Sequence, residues 1–254
     1  MKQSNNPPRT LSTPWLVREL EKHWASTSEF DHSGYEGKTV RRIKLAKFIL
    51  EFNPKSVLEI GCLGGYNLRE IHKLDSSIEL TGYDINKPAL EYAKSKLDAM
   101  EAMHGSIYNL SSKLKGRKFD VIFTAGVLIH IPNWDESDRS TKGFLDTKYI
   151  TNIVNSIYDH CNLGIVHAEE HGEFFLKKPD TRMRYIHNFN ELYHERGVVH
   201  IQDAPDASNG FEHFVKITKH QDIILENSPN EDVELSAAFR DQVLREIKMM
   251  NGEE

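Results

Sequence analysis

The chain has 254 residues, a formal net charge of −6, and 39% hydrophobic and 28% charged residues. This composition is typical of one large α/β domain with additions, or of two small domains, and it provides apolar residues for a sizeable core. The acidic balance, without a long Lys/Arg run, argues against a protein that binds duplex nucleic acid through its phosphates. Because no stretch approaches the roughly 18 apolar residues of a membrane span, and no apolar segment follows the N-terminus, neither spanning nor secretion is expected.

The cysteines and histidines indicate neither a disulfide framework nor a metal site. Cys62 and Cys161 fit no disulfide or zinc spacing, so a reducing cytoplasm is the expected location. The 13 histidines show no compact spacing with acidic residues that would ligate a metal. No metal is therefore expected.

The N-terminal part predicts two helices separated by a loop. Trp15–Trp24 has the apolar spacing of a short amphipathic helix, and Thr39–Phe52 returns to that spacing before Asn53-Pro54 ends it. We assign residues 1–38 to an N-terminal helical cap or lid. Its aromatic side chains would either pack on the core or close over a pocket.

The central stretch is Ser56–Leu68, where a short apolar run ends in a glycine turn and continues into a helical pattern. The turn contains Gly61, Gly64 and Gly65, so it can bring backbone N–H groups and a positive helix end close to a ligand. Asp84 ends the next strand-like run, where its carboxylate is placed to take the two hydroxyls of a ribose. The ligand implied is a nucleoside with an extra polar arm.

The rest of the chain alternates strand-like and helical stretches. Further strands are predicted at 78–83, 101–107, 118–124, 163–168, 198–202 and 212–218. Further helices are predicted from the Asn86 N-cap to 97, at 144–161, at 188–196 with Gly197 as the C-cap, and at 233–250. The alternation predicts an α/β, Rossmann-like three-layer sandwich with a seven-stranded, mostly parallel sheet and one antiparallel strand from a closing hairpin. We assign residues 39–220 to this domain and 221–254 to a C-terminal helical extension.

The order of these units resembles the class I S-adenosylmethionine-dependent methyltransferases over residues 39–218. Glu59-Ile60-Gly61 and Gly65 fall on the first motif of that family, Asp84 on the acid that ends strand two, and 119–132 on the fourth-strand motif and its loop. The segments EKHW, the glycine turn and GVLIHI are also similar to methylases associated with pseudaminic acid biosynthesis. The resemblance implies S-adenosylmethionine as the cofactor.

The same resemblance assigns the cofactor site. It places cofactor binding at the carboxyl ends of the strands, on Glu59, Gly61, Gly65, Asp84, Ile85, Ser106, Ile107, Thr124 and Gly126. Two positions depart from the family pattern. Leu63 stands where a glycine is usual, so the turn either keeps a negative φ there or shifts. Ser106 replaces an acid, so the adenine amino group would need a hydroxyl or a backbone acceptor.

Candidate catalytic and substrate-binding residues follow strands four and five. His130 would act as a base or orient the acceptor, or else cap a loop, and one of Glu169 and Glu170 would face the pocket unless both are solvated. The substrate-binding candidates are Tyr35, His171, Arg182, Arg184 and Tyr185. Several belong to a basic insertion, 174–187, which indicates an acceptor with a carboxylate or phosphate or else is an ordinary solvated loop.

The function expected is methyl transfer from S-adenosylmethionine to a hydroxyl, amine or carboxylate of a sugar-like, anionic small molecule. The alternatives are a protein or tRNA-nucleotide methyltransferase, and a catalytically silent cofactor-binding partner or sensor. The segment after strand four, 124–127, lacks the motif of DNA amino-methyltransferases. The expected partners are the small acceptor and a second copy of the chain. No membrane is expected, and nucleic acid is disfavoured as a partner.

Overall fold

The computed structural model describes residues 15–28, 39–131, 148–170, 187–203 and 212–219. Its sheet has seven strands in the order β3-β2-β1-β4-β5-β7-β6. They are β1 (Ser56–Ile60), β2 (Glu79–Asp84), β3 (Glu101–His104), β4 (Phe119–Ala125), β5 (Cys161–Glu170), β6 (Gly197–Asp203) and β7 (Glu212–Lys219). Neighbours among β1 to β5 pair in parallel, and β7 is antiparallel to both β5 and β6. The predicted mostly parallel, seven-stranded sheet with one antiparallel strand is confirmed.

Helices cover both faces of this sheet. They are α1 (Trp15–Ser26), α2 (Thr39–Leu50), α3 (Tyr66–Leu74), α4 (Lys87–Lys96), α5 (Leu110–Leu114), α6 (Lys148–Asp159) and α7 (Phe189–Leu192). Two short 3-10 turns, at Ile107–Asn109 and Leu128–His130, follow β3 and β4. Asn86 caps α4 as predicted, because its side chain accepts a hydrogen bond from Ala89 N at 2.9 Å.

An apolar layer lies on each face of the sheet, and this explains why the strands appear in the sequence as continuous apolar runs. In β1, Val57 belongs to the core shared with α2, α3 and α4, whereas its neighbour Leu58 belongs to the core shared with α5, α6 and α7. Successive side chains of a strand point to opposite faces, and here both faces are covered. Polar groups at this sheet are therefore expected mainly where the strands end.

Several elements differ from the sequence prediction, among them β3, which ends at His104 and not at residue 107. Helix α5 was not predicted, because five residues are too few to show a helical period. The helix predicted at 188–196 spans only Phe189–Leu192. Gly197 is not its C-cap but the first residue of β6, where a Cβ would lie 2.4 Å from Thr218 O. Close packing of two strands, not a helix end, requires that glycine.

The chain consists of two units. The chain divides into one unit at Met1–Lys219 and a second at His220–Glu254, and the helix predicted at 233–250 lies outside the described residues. Within the described ranges, none of the helices has the length and apolar character needed to cross a membrane.

Candidate functional site

The turn after β1 depends on glycine at two positions. Gly61 has φ of 72° and Gly65 has φ of 69°, conformations that side chains with a Cβ rarely adopt. A Cβ on Gly61 would also lie 2.3 Å from Cγ2 of Val127, in the loop after β4. Gly61 N donates to Tyr83 O at 2.7 Å, which ties the turn to β2. The turn is thus packed tightly against the ends of β2 and β4.

Leu63 adopts a left-handed conformation in the middle of this turn. Its φ is 46°, so the turn does not keep a negative φ where the leucine replaces a glycine. A non-glycine residue in this region costs about 1 kcal/mol. The backbone N–H of Leu63 donates to Oδ2 of Asp84 at 2.7 Å. That hydrogen bond helps to hold the strained turn against the end of β2.

Asp84 is positioned to bind a ribose. Its side chain is only 7% exposed, and Oδ1 accepts a hydrogen bond from Asn86 N at 2.7 Å. Burial raises the pKa of Asp84, while the N–H groups of Asn86 and Leu63 act in the opposite direction. Each carboxylate oxygen can accept a second hydrogen bond. The remaining capacity matches the two hydroxyls of a ribose.

Glu59 offers a buried acceptor that none of the described residues uses. Its Oε1 accepts a hydrogen bond from Nδ2 of Asn67 at 2.6 Å, whereas its buried Oε2 has no hydrogen-bond partner among the described residues. Oδ1 of Asn67 is likewise buried and without a partner. Burial raises the pKa of Glu59 to about 8. Orphaned buried acceptors beside a glycine turn fit the ammonium group of an amino acid arm.

Two arginines of α2 lie near Glu59. Arg42 is 6% exposed, and its guanidinium stacks on the Tyr66 ring with its Cζ 4.8 Å from the centroid. Arg69 stacks on the same ring at 4.4 Å. Burial lowers the pKa of both Arg41 and Arg42, and the charge of Glu59 opposes this shift. These cations are suited to attract a carboxylate on the same amino acid arm.

Glu169, at the end of β5, holds the loop after β4. Its Oε1 accepts hydrogen bonds from Oγ1 of Thr124 at 2.8 Å, from Val127 N at 2.9 Å and from Leu128 N at 3.1 Å. Its Oε2 accepts from Ile129 N at 3.4 Å. Burial raises the pKa of Glu169, and these donors oppose the shift. The carboxylate is therefore committed to fixing the turn that carries His130.

A chain of buried hydrogen bonds leads from Glu169 to α7. The hydroxyl of Thr124 donates its one hydrogen to Glu169, so its oxygen accepts from Nδ1–H of His167 at 2.8 Å. Nε2 of His167 then accepts from the Tyr193 hydroxyl at 2.7 Å. Burial lowers the pKa of His167 to about 3, so the ring is neutral. His187 adds a bond from Nε2–H to Leu128 O at 2.7 Å.

Some of the other predicted site residues lie in the described part of the chain, and the rest lie outside it. Ile85, Ser106, Ile107 and Gly126 lie at the carboxyl ends of β2, β3 and β4, and a Cβ on Gly126 would meet no atom within 4 Å. The side chain of Glu170 and the residues Tyr35, His171, Arg182, Arg184 and Tyr185 lie outside the described part. The described residues hold no group of three or more side chains suited to a metal.

His130 lies under the N-terminal helix. Its ring centroid is 4.6 Å from that of Trp24, in the last turns of α1. The Nδ2 group of Asn86 donates to Trp24 O at 2.9 Å and to Thr27 O at 2.8 Å. The Ser106 hydroxyl donates to the carboxylate of Glu21. The helix thus contacts residues that follow β2, β3 and β4.

Sequence reasoning missed several of these residues. They are Glu21, Arg41, Arg42, Asn67, His167, His187 and Tyr193. A histidine within the apolar run of β5 was the one local signal for His167, because a buried polar side chain needs a partner. The partner itself is 43 residues away in Thr124, and no local pattern indicates it.

Residues 58–146 match the family model described as a methyltransferase domain. Among solved structures, the magnesium protoporphyrin IX methyltransferase ChlM from Synechocystis PCC 6803 with bound SAM aligns with a TM-score of 0.58 and 10% identity, over 83% of this chain and 100% of that chain. The plantazolicin methyltransferase BamL, in complex with a triazolic desmethylPZN analog and SAH, aligns with a TM-score of 0.56 and 17% identity, over 81% of this chain and 98% of that chain. The chain matches none of the curated proteins.

A third structure extends this likeness. The N-methyltransferase NodS from Bradyrhizobium japonicum WM9, in complex with S-adenosyl-l-homocysteine, aligns with a TM-score of 0.57 and 13% identity, over 81% of this chain and 99% of that chain. The fold is therefore the Rossmann-like methyltransferase fold. These comparisons give no support to the narrower similarity to methylases associated with pseudaminic acid biosynthesis.

Residues 58–146 form a methyltransferase domain within the Rossmann-like methyltransferase fold. The protein is an S-adenosylmethionine-dependent methyltransferase, and S-adenosylmethionine is its cofactor. When bound, the cofactor supplies a methyl group activated by its sulfonium. Asp84 and the orphaned acceptors of Glu59 and Asn67 fit its ribose and its ammonium group.

Cofactor binding is expected to change the protonation of Glu59. In the free protein its pKa of about 8 keeps the carboxyl group mostly protonated at pH 7. A bound ammonium favours the ionised form, so the pKa falls and binding releases about one proton more than in Glu59→Gln. Affinity for the cofactor therefore rises with pH up to about 8 and then levels off. Calorimetry in two buffers of different ionisation enthalpy measures the proton count, and equal counts in both proteins would contradict this role.

Proposed function

We propose that this methyltransferase acts on a small, anionic, sugar-like acceptor, at a hydroxyl, an amine or a carboxylate. The observation that carries the proposal is the position of α1. Its contacts with Asn86, Ser106 and His130 extend over the carboxyl ends of β2, β3 and β4. A helix across this edge leaves room for a small acceptor more readily than for a folded macromolecule.

Charge supports the same acceptor class. The chain carries a net charge of −6, which disfavours an RNA acceptor bound through many phosphates. Within the candidate site, Arg41 and Arg42 lie near Glu59, so the site holds cations as well as carboxylates. The basic residues predicted in 174–187, including Arg182 and Arg184, would add to this local positive charge. BamL and ChlM, by their names, methylate small molecules.

The proposed chemistry requires orientation more than acid catalysis. Methyl transfer is an in-line displacement, so the protein must hold the acceptor atom and the methyl carbon about 3 Å apart and aligned. We assign this task to the loop after β4, where Gly126 leaves open space and His130 orients the acceptor or takes its proton. Glu169 would act through this loop by fixing its N–H groups, as a positioning residue.

The test is turnover with defined classes of acceptor. The protein is incubated with S-adenosylmethionine and with sugar acids, amino sugars, nucleotide sugars, tRNA or peptides, and products are measured by mass spectrometry. We expect S-adenosylhomocysteine and a methylated sugar, formed with little dependence on salt. His130→Ala should lose turnover while cofactor binding is retained, and the exposed control His194→Ala should lose neither.

Other outcomes would favour the alternatives. Turnover with tRNA alone, falling steeply between low and moderate salt, would replace the proposed acceptor by a nucleic acid. Cofactor binding without turnover on any acceptor class would favour a silent partner or sensor.

Three further proposals concern the assembly and its location. A homodimer is supported by the edge strand β6, which exposes 63% of Val198 and one side of its backbone ladder within the described residues. A cytoplasmic location is supported by two buried, free cysteines, Cys62 and Cys161. The division into a cap at 1–38, a domain at 39–220 and an extension at 221–254 is likewise proposed.

A further inference from the structure

The Ser106 hydroxyl is already engaged by protein groups. It donates its hydrogen to Oε1 of Glu21 and accepts a hydrogen bond from Tyr108 N at 3.2 Å. This hydroxyl, one of the two kinds of acceptor expected for the adenine amino group, thus already donates and accepts within the protein and keeps at most one free acceptor position. The carboxylate beside it is the stronger acceptor, and the structure gives its Oε2 no hydrogen bond to any described residue.

Glu21 is held in this place by the docking of α1. Asn86 is fully buried, and its Oδ1 caps α4 through Ala89 N. Its Nδ2 donates to the carbonyl oxygen of Trp24, in the last turn of α1, and to that of Thr27, just after the helix. One rigid residue at the end of β2 thus fixes the C-terminal end of α1. This places Glu21, one turn earlier, over the end of β3.

The position matches the far end of the cofactor's base. With a ribose at Asp84, the adenine would pack beside Ile85 and extend from β2 towards β3, where Ser106 and Ile107 follow the strand. Neighbouring strands are about 4.8 Å apart, so the 6-amino group would come into the region of Ser106. That amino group donates hydrogen bonds and needs an acceptor, and a carboxylate supplies one with added charge.

We propose that Glu21 of α1 accepts a hydrogen bond from the 6-amino group of the cofactor's adenine. Helix α1 then recognises the adenine base, although the helix lies outside the sheet domain that binds the ribose. The bond also links the cofactor to His130, since Trp24 on the same helix stacks on that ring. A bound adenine therefore stabilises the docked position of α1 over the acceptor site. This inference rests on the cofactor site at Asp84.

The experiment compares two ligands that differ at position 6 of the base and at the adjoining N1. S-inosylhomocysteine carries a carbonyl oxygen where S-adenosylhomocysteine carries the 6-amino group, and its N1 carries a hydrogen where the N1 of adenine is an acceptor. We expect the wild type to bind S-adenosylhomocysteine at least about tenfold more tightly, or by about 1.4 kcal/mol. Glu21→Ala should reduce this ratio to within about threefold by weakening S-adenosylhomocysteine alone. Glu21→Gln, which can turn its amide N–H towards the carbonyl, should bind the inosyl ligand more tightly than Glu21→Ala.

A matched control is Glu91→Ala on α4, whose exposed carboxylate lies 3.9 Å from Lys87 Nζ. It should leave the ratio of the two dissociation constants at the wild-type value. Equal weakening of both ligands in Glu21→Ala, or an unchanged ratio, would overturn the inference, because Glu21 would then only dock the helix. Failure of the wild type to bind S-adenosylhomocysteine at all would instead overturn the cofactor site, and this inference with it.

Discussion

Replacing Asp84 by alanine is expected to weaken the binding of S-adenosylmethionine and S-adenosylhomocysteine at least tenfold, by about 1.4 kcal/mol or more. The buried carboxylate accepts hydrogen bonds from Leu63 N and Asn86 N, each at 2.7 Å. Alanine removes the acceptor for the ribose and also the group that holds the strained Leu63 turn. The loss of the ribose acceptor and the loosening of the Leu63 turn both weaken binding of the same ligand. Isothermal titration calorimetry of both ligands measures the change.

The control for this variant is Asp98→Ala, which removes a charge from the surface. Asp98 is exposed and lies 3.5 Å from Lys94 Nζ, so its loss should leave the binding constants unchanged. Asp84→Asn keeps one acceptor oxygen and should fall between the wild type and alanine. Unchanged affinity in Asp84→Ala would show that the ribose lies elsewhere. A wild type that binds neither ligand would contradict the cofactor.

Replacing Glu169 by alanine is expected to lower the free energy of unfolding by about 3–5 kcal/mol. The change leaves the N–H groups of Val127, Leu128 and Ile129 without the carboxylate that accepts from them. It also removes the acceptor for the Thr124 hydroxyl at 2.8 Å. Since these donors are buried, water does not fully replace the lost acceptor. Urea unfolding followed by circular dichroism measures the difference.

A matched control for this prediction is Glu79→Ala, because Glu79 is also a strand glutamate but is exposed at the start of β2. We expect its free energy of unfolding to change by less than about 0.5 kcal/mol. Glu169→Gln keeps one oxygen for the loop, so it should be destabilised less than Glu169→Ala. A Glu169→Gln protein with wild-type stability and no turnover would contradict the positioning role and favour proton transfer by Glu169.

Much of the sheet was predictable because its signals are local. The apolar runs around Val57 and Val121 show that both faces of these strands are covered, and the Asn86 cap begins α4 where the sequence predicts it. Local signals were weaker where an element is short. Helix α5 has too few residues for a period to be recognised, and the helix predicted at 188–196 forms only the single turn of α7.

The conformation of Leu63 is a feature that local sequence rules could not determine. Sequence reasoning left two alternatives for a leucine in a glycine position, and backbone sterics favoured a negative φ. The structure has φ of 46° instead, with Leu63 N bonded to Asp84. The preference of one residue was outweighed by the packing of the turn between β2 and the loop that contains Val127.

By itself, the sequence determined the order of strands and helices, the glycine turn and the acid at Asp84, because these follow from side-chain periodicity and turn chemistry over a few residues. Only the tertiary structure decided which polar groups meet. Glu21 reaches Ser106 across 85 residues, and Thr124 reaches Glu169 across 45. Such bonds form because buried polar groups must find partners once the helices are packed on the sheet, and that packing depends on the whole chain.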